Sequence, residues 1–182
     1  GSLASVMKLD YDGNKITSFA NNGEYTISII GGDIDIFDFE VDAYNGLFII
    51  GDKKNSPWQS FVMHLLPSGQ IDPNFSTGGI IYPTSGSNYT FYDIAVVDSN
   101  KVVMVGKYGQ THAHAIMFNY QGTMESGFGM GGHLQFKLNN TDIYGKYVCV
   151  TPDKKLIIAG SNISNASGSN WIIKMNLNGP ID

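Results

Sequence analysis

The chain repeats itself, and that repetition constrains its fold more than any single motif does. The stretch from Phe61 to Gly106 reads FVMHLLPSGQIDPNFSTGGIIYP, a polar gap, then FYDIAVVDSNKVVMVG. Upstream, SVMKLDYDGNKITSFANNGEYTI is followed by FDFEVDAYNGLFIIG, and downstream AIMFNYQGTMESGFGMGGHLQF is followed by GKYVCVTPDKKLIIAG. A further copy opens at Trp171 with WIIKMNLNGPID. Glycines and aromatics measure the period. Gly13, Gly69, Gly122 and Gly179 are 56, 53 and 57 positions apart, and Gly51, Gly106 and Gly160 are 55 and 54 apart. Phe19, Phe75 and Phe128 step by 56 and 53, as do Gly23, Gly79 and Gly132. A fixed period of this size means one supersecondary unit stacked beside its own copies.

The unit reads as strands. Tyr25, Ile27 and Ile29 alternate with polar residues in GEYTISII, and IFDFEVD alternates with Phe37, Phe39 and Val41 on one face. LFIIG, VVMVG and LIIAG are short continuous apolar runs of the kind buried on both faces. Turn pairs and glycines punctuate every dozen or so residues, and no segment sustains a 3.6-residue apolar period. Each repeat therefore holds four strands on short connections, which favour antiparallel pairing of neighbours. Four such strands repeated radially make a β-propeller blade. The expected fold class is all-β, one partial propeller over residues 1–182, with repeats at 5–59, 60–114 and 115–170 and a fourth beginning at 171–182. Blades are expected to start at IFDF, TFYD and IYGK, which leaves a half blade, two whole ones and most of a third.

Composition removes several functions. All 11 basic residues are lysines against 16 acidic ones, a formal charge of -5. An acidic chain with no guanidinium fork is poorly suited to gripping phosphates, so nucleic acid is not an expected partner. No apolar run approaches the roughly 18 residues of a membrane span. The single cysteine, Cys149, excludes an intramolecular disulfide framework, and its place in YVCV predicts a buried, inert thiol. Gly1-Ser2 has the look of a tag remnant.

The repeat resembles the bacterial delta-60 repeat. The likeness runs over almost the whole chain, carried by Gly69, Ile71-Asp72, Phe75, Gly79, Asp98, Lys101 and Gly106, then by Gly122, Phe128-Gly129, Gly132, Asp153, Lys155 and Gly160. It departs from the family where Arg-Leu-Asn is usual, having Lys8-Leu9-Asp10, His64-Leu65-Leu66 and Lys174-Met175-Asn176. The Asp-Gly turn has drifted to Asn45-Gly46, Ser99-Asn100 and Asp153-Lys154, all turn-forming replacements. The resemblance implies a β-propeller and a tendency to secreted or surface proteins. It implies no reaction and no cofactor.

Candidate sites are few. His112 and His114 stand two apart and share a strand face, with His133 the next nearest in sequence; two imidazoles alone rarely hold zinc, so no metal site is expected. Asp38, Glu40 and Asp42 line up opposite Phe37, Phe39 and Val41 and read as a solvated edge. Gly31-Gly32-Asp33-Ile34-Asp35 only faintly resembles a calcium loop. No G-x-S-x-G elbow or phosphate loop is present. Phe19, Phe75 and Phe128 read as plugs wedging a long loop against its strands. The loops at one end carry Trp58, Tyr89, Tyr108, His112 and SNISNASGSN, a mixture that either stacks on sugars or peptides or merely covers strand ends.

The expected function is a non-catalytic binding or scaffolding platform for a protein or glycan partner. The alternative is a fragment of a carbohydrate-directed, calcium-dependent enzyme. Propellers close with roughly four to eight blades. Three and a fraction leave apolar flanks, so a longer array or association of copies is expected.

Overall fold

The computed structural model describes residues 3–29, 33–54, 58–84, 88–162 and 169–178. Gly31-Gly32 of the calcium-like loop, most of SNISNASGSN and the repeat glycine Gly179 lie outside the described residues. Among those described there are strands and turns and no helix.

The thirteen strands among the described residues group in chain order. An N-terminal pair joins β1 (Ala4–Met7) to β2 (Glu24–Ile27). A second sheet holds β3 (Ile34–Val41), β4 (Leu47–Lys53), β5 (Gln59–Leu65) and β6 (Ile80–Ile81). A third holds β7 (Tyr89–Val96), β8 (Lys101–Tyr108), β9 (His112–Asn119) and β10 (His133–Phe136). The last holds β11 (Ile143–Val150), β12 (Lys155–Asn162) and β13 (Asn170–Asn176). Every pairing is antiparallel between strands adjacent in sequence. The chain is all-β, as its glycine punctuation implies.

The sheets pack face on face, because central strands apolar on both sides have to be covered twice. Phe48, Ile50 and Val62 of the second sheet meet Phe91, Met104, Ile116 and Phe118 of the third. Ala95, Val103, Val105 and Ala115 from the other face of that sheet meet Val148, Leu156 and Ile158 of the last. Ile49, Phe61 and Met63 pack toward the N-terminal pair.

Two sets of hydrogen bonds tie each sheet to the next. In the long loops, Gly23, Gly79 and Gly132 donate N–H to the carbonyls of Phe19, Phe75 and Phe128. The residue after each phenylalanine donates to a turn of the following sheet: Ala20 to Ser68, Ser76 to Gln121, Gly129 to Asn178. Phe75 and Phe128 are fully buried and Phe19 nearly so. Gly69 sits at φ +81°, where a Cβ would also meet the Phe19 ring at 2.7 Å, so both conformation and space require glycine.

The second set arises at a bulge that recurs in the first strand of each sheet. Register shifts at Ile36/Asp38, Phe91/Asp93 and Gly145/Tyr147 leave Phe37, Tyr92 and Lys146 as the extra residues. Gly51, Gly106 and Gly160 stand opposite, and a Cβ there would overlap the carbonyl oxygens of Asp35, Thr90 and Tyr144. After the bulge, Asp38 Oδ2 accepts from Ile94 N at 3.1 Å, and Asp93 Oδ2 accepts from Val148 N at 2.6 Å. One sheet's carboxylate thus serves a backbone N–H of the next.

Three expectations need correction. Asp38, Glu40 and Asp42 are not a solvated edge: Asp42 is buried against His64, and Asp38 clasps the third sheet. It is Phe39 and Val41 that are exposed, because the N-terminal pair offers two strands and leaves this part of the second sheet uncovered. The bulge separates Phe37 from Phe39 and Val41 and turns it elsewhere, so the three do not share one surface. Cys149 is exposed rather than buried. Its alternation is that of a buried strand, but it faces outward from the last sheet, beside the row Tyr147, Ala159 and Ile172.

Candidate functional site

Trp58, Tyr89, Tyr108 and His112 lie at one end of the sheets. Tyr89 pairs with Tyr108 and Tyr108 with His112, which makes one row across the third sheet. The tyrosine rings are 4.7 Å apart between centroids, and the His112 ring is 6.4 Å from Tyr108. Trp58 joins them indirectly. Its Nε1 donates to Asp52 Oδ2 at 2.7 Å, Ser60 Oγ donates to the other oxygen of Asp52, and Ser60 also reaches the Tyr89 carbonyl at 3.2 Å. Burial raises the Asp52 carboxyl above its usual value, and the Ser60 and Trp58 hydrogen bonds hold it back. Trp58 is thereby held by its indole nitrogen with its ring partly in solvent.

The histidines do not assemble around a metal. His114 and His133 stack at 5.5 Å with Nε2 and Nδ1 3.3 Å apart, whereas His112 Nδ1 is 2.7 Å from Thr111 Oγ1. Burial, and then the neighbouring His133, drives His114 down to about 3, and its Nδ1 has no partner. No three His, Cys, Asp or Glu side chains among the described residues come together as a metal would need. Asp35, from the calcium-like loop, pairs with Lys54 instead.

Two constellations went unread in the sequence. Buried His64 lies between carboxylates, Nε2 2.9 Å from Asp42 Oδ2 and Nδ1 2.8 Å from Asp72 Oδ2, stacked on Phe48 at 4.2 Å. The second oxygen of Asp42 accepts from the N–H groups of Tyr44 and Gly46, both at 2.7 Å. The cluster fastens the β3–β4 turn to β5 and to the loop beginning at Asp72, and its burial marks it as structural. Asp38 and Asp93 form the other carboxylate pair. The Ile94 N–H is shared between Asp38 Oδ2 and Asp93 Oδ1, each 3.1 Å away. Burial and the hydrogen bond with Asp38 push Asp93 up to about 7. An acid–base pair can look like this, but these oxygens are already committed to the backbone of the following strands.

The bulges build a cleft; a larger hollow of about 650 Å³ lies between β1 and the second sheet, lined by Val6, Phe19, Phe39 and Val41 among others. Phe37 and Tyr92 from two sheets and Lys146 from a third turn into one hollow of about 590 Å³, joined by Tyr144, Lys107, Gln110 and Tyr147. The Phe37–Tyr92 and Tyr92–Tyr144 rings are 6.0 and 6.1 Å apart, and Lys146 Nζ sits 5.1 Å above Tyr144. A signal for it existed: Phe37, Tyr92 and Lys146 are 55 and 54 positions apart, the same steps as Gly51, Gly106 and Gly160. Aromatic rings with a few polar groups line it.

Neither a protein-family model nor a curated protein matches this chain. No helix among the described residues is long and apolar enough to cross a membrane.

Proposed function

We propose that the chain is a non-catalytic binding module whose sheets are successive blades of a β-propeller of the delta-60 repeat type. It takes a saccharide or protein partner at the cleft where the first strands of the blades converge. One observation carries the reading: the same bulge, opposite the same repeat glycine, aims Phe37, Tyr92 and Lys146 into a single hollow. Bulges re-aim side chains in this way beside functional sites. The face-on-face packing and the repeat-to-repeat bonds of Asp38 and Asp93 support a blade arrangement. A glycan panel with wild type and Tyr92→Ala tests the site; binding lost in the variant with its melting temperature kept supports it, and binding unaffected by the change removes it.

On the same reading, the uncovered faces at Phe39 and Val41 and at Tyr147 and Ile172 meet further blades, supplied by a second copy in this chain's own solutions. Light scattering is expected to give a dimer at high concentration; a 19.8 kDa monomer throughout would overturn the association. The module is further read as part of a secreted or surface protein.

A further inference from the structure

Resting on that reading, we infer that the cleft selects an anionic saccharide, a chain of pyranose rings bearing carboxylate or sulfate. The aromatic wall fits a sugar ring. Phe37, Tyr92 and Tyr144 form a row at 6.0 and 6.1 Å spacing, tilted by 57° and 59°, so their faces and edges line a continuous surface. The apolar C–H face of a pyranose stacks on such rings, while the phenol groups of Tyr92 and Tyr144 and the amide of Gln110 offer hydrogen bonds to its hydroxyls.

Charge selects among sugars. This acidic chain places two of its 11 lysines, Lys107 and Lys146, on the wall of the same cleft. Neither forms an ion pair with a carboxylate among the described residues, whereas Lys15, Lys54, Lys101, Lys137 and Lys174 all do. Lys146 rests on the Tyr144 ring, which orients the ammonium without neutralising it. The carboxylate that feels Lys107 is Asp52, which is fully buried with its oxygens taken by Trp58 and Ser60. Two ammonium groups flanking an aromatic wall leave a neutral ligand with unmatched charge beside it, and an anionic ring satisfies both. Lysine is a point charge without a planar fork, so carboxylate and sulfate are equally served.

The test is titration calorimetry of the full chain with trigalacturonate, 3′-sulfolactose and neutral maltotriose. At least one of the two acids is expected to bind ten-fold or more tighter than maltotriose and to weaken as salt rises. Which acid binds identifies the anionic group. Lys107→Met and Lys146→Met are each expected to lose most of that preference while keeping the wild-type melting temperature. Maltotriose binding as tightly as both acids, or a preference that survives both lysine changes, overturns the anionic selectivity and leaves the binding module standing. No binding of any of the three, together with a negative glycan panel, overturns both.

Discussion

Replacing Asp93 by asparagine tests how the sheets are clasped together. The Asp93 carboxyl is moved from an ordinary value of 3.8 to about 7, first by burial and then by its hydrogen bond with Asp38. A group whose folded pKa lies above its unfolded one holds more protons when folded. Its contribution is therefore complete below about pH 4 and is lost as pH rises through 7. A rise of that size corresponds to about 4 kcal/mol, which solvent screening at this half-exposed pair reduces to about 1–2 kcal/mol. Asparagine keeps an acceptor for the Val148 N–H and presents a donor to Asp38 at every pH. Asp93→Asn is accordingly expected to match wild type near pH 4.5 and to exceed it by about 1–2 kcal/mol at pH 8, a rise of roughly 2–8 °C in melting temperature. Urea unfolding of both proteins across that range measures the difference. A variant less stable than wild type at pH 8, or a difference constant from pH 4.5 to 8, would refute the shared-proton clasp.

Other substitutions probe other parts of the fold. Gly106→Ala drives a Cβ into the Thr90 carbonyl and is expected to cost about 1–3 kcal/mol in urea unfolding, while Gly127→Ala, with open space around it, stays within about 0.5 kcal/mol. His64→Ala leaves Asp42 and Asp72 buried without their shared donor and is expected to cost about 3–5 kcal/mol by the same measurement; a loss below 1 kcal/mol would show that the cluster fastens nothing. His114, held at about 3 against an ordinary 6.5, favours folding above pH 6.5 and loses that contribution as pH falls. His114→Phe, copying Phe61 at the equivalent position opposite Gly51, is expected to flatten the acid side of the stability profile and raise stability at pH 5 by about 1–3 kcal/mol.

Periodicity makes the strands legible because alternation and glycine punctuation are local, and the pairing of neighbours follows from short connections. Gly51, Gly106 and Gly160 stand out in the sequence as a tight place without its cause, since the bulge opposite each one is a cross-strand event. Cys149 departs from expectation because alternation says which residues share a face and not whether a sheet covers it. The carboxylates Asp38 and Asp42 depart for the converse reason: their partners, Ile94 and His64, are 56 and 22 residues away. Tyr89, Tyr108 and His112 can be grouped from sequence because they flank one strand pair. Phe37, Tyr92 and Lys146 can be grouped only by applying the period to residues of differing chemistry.

The most direct measurement is a proton NOE spectrum of the chain with labelled aromatic residues. Three sheets aiming their bulge positions into one cleft predict cross-peaks from the Tyr92 ring to both Phe37 and Tyr144, in two different sheets. Tyr92 contacts confined to its own sheet would contradict the convergence on which the proposed binding site rests.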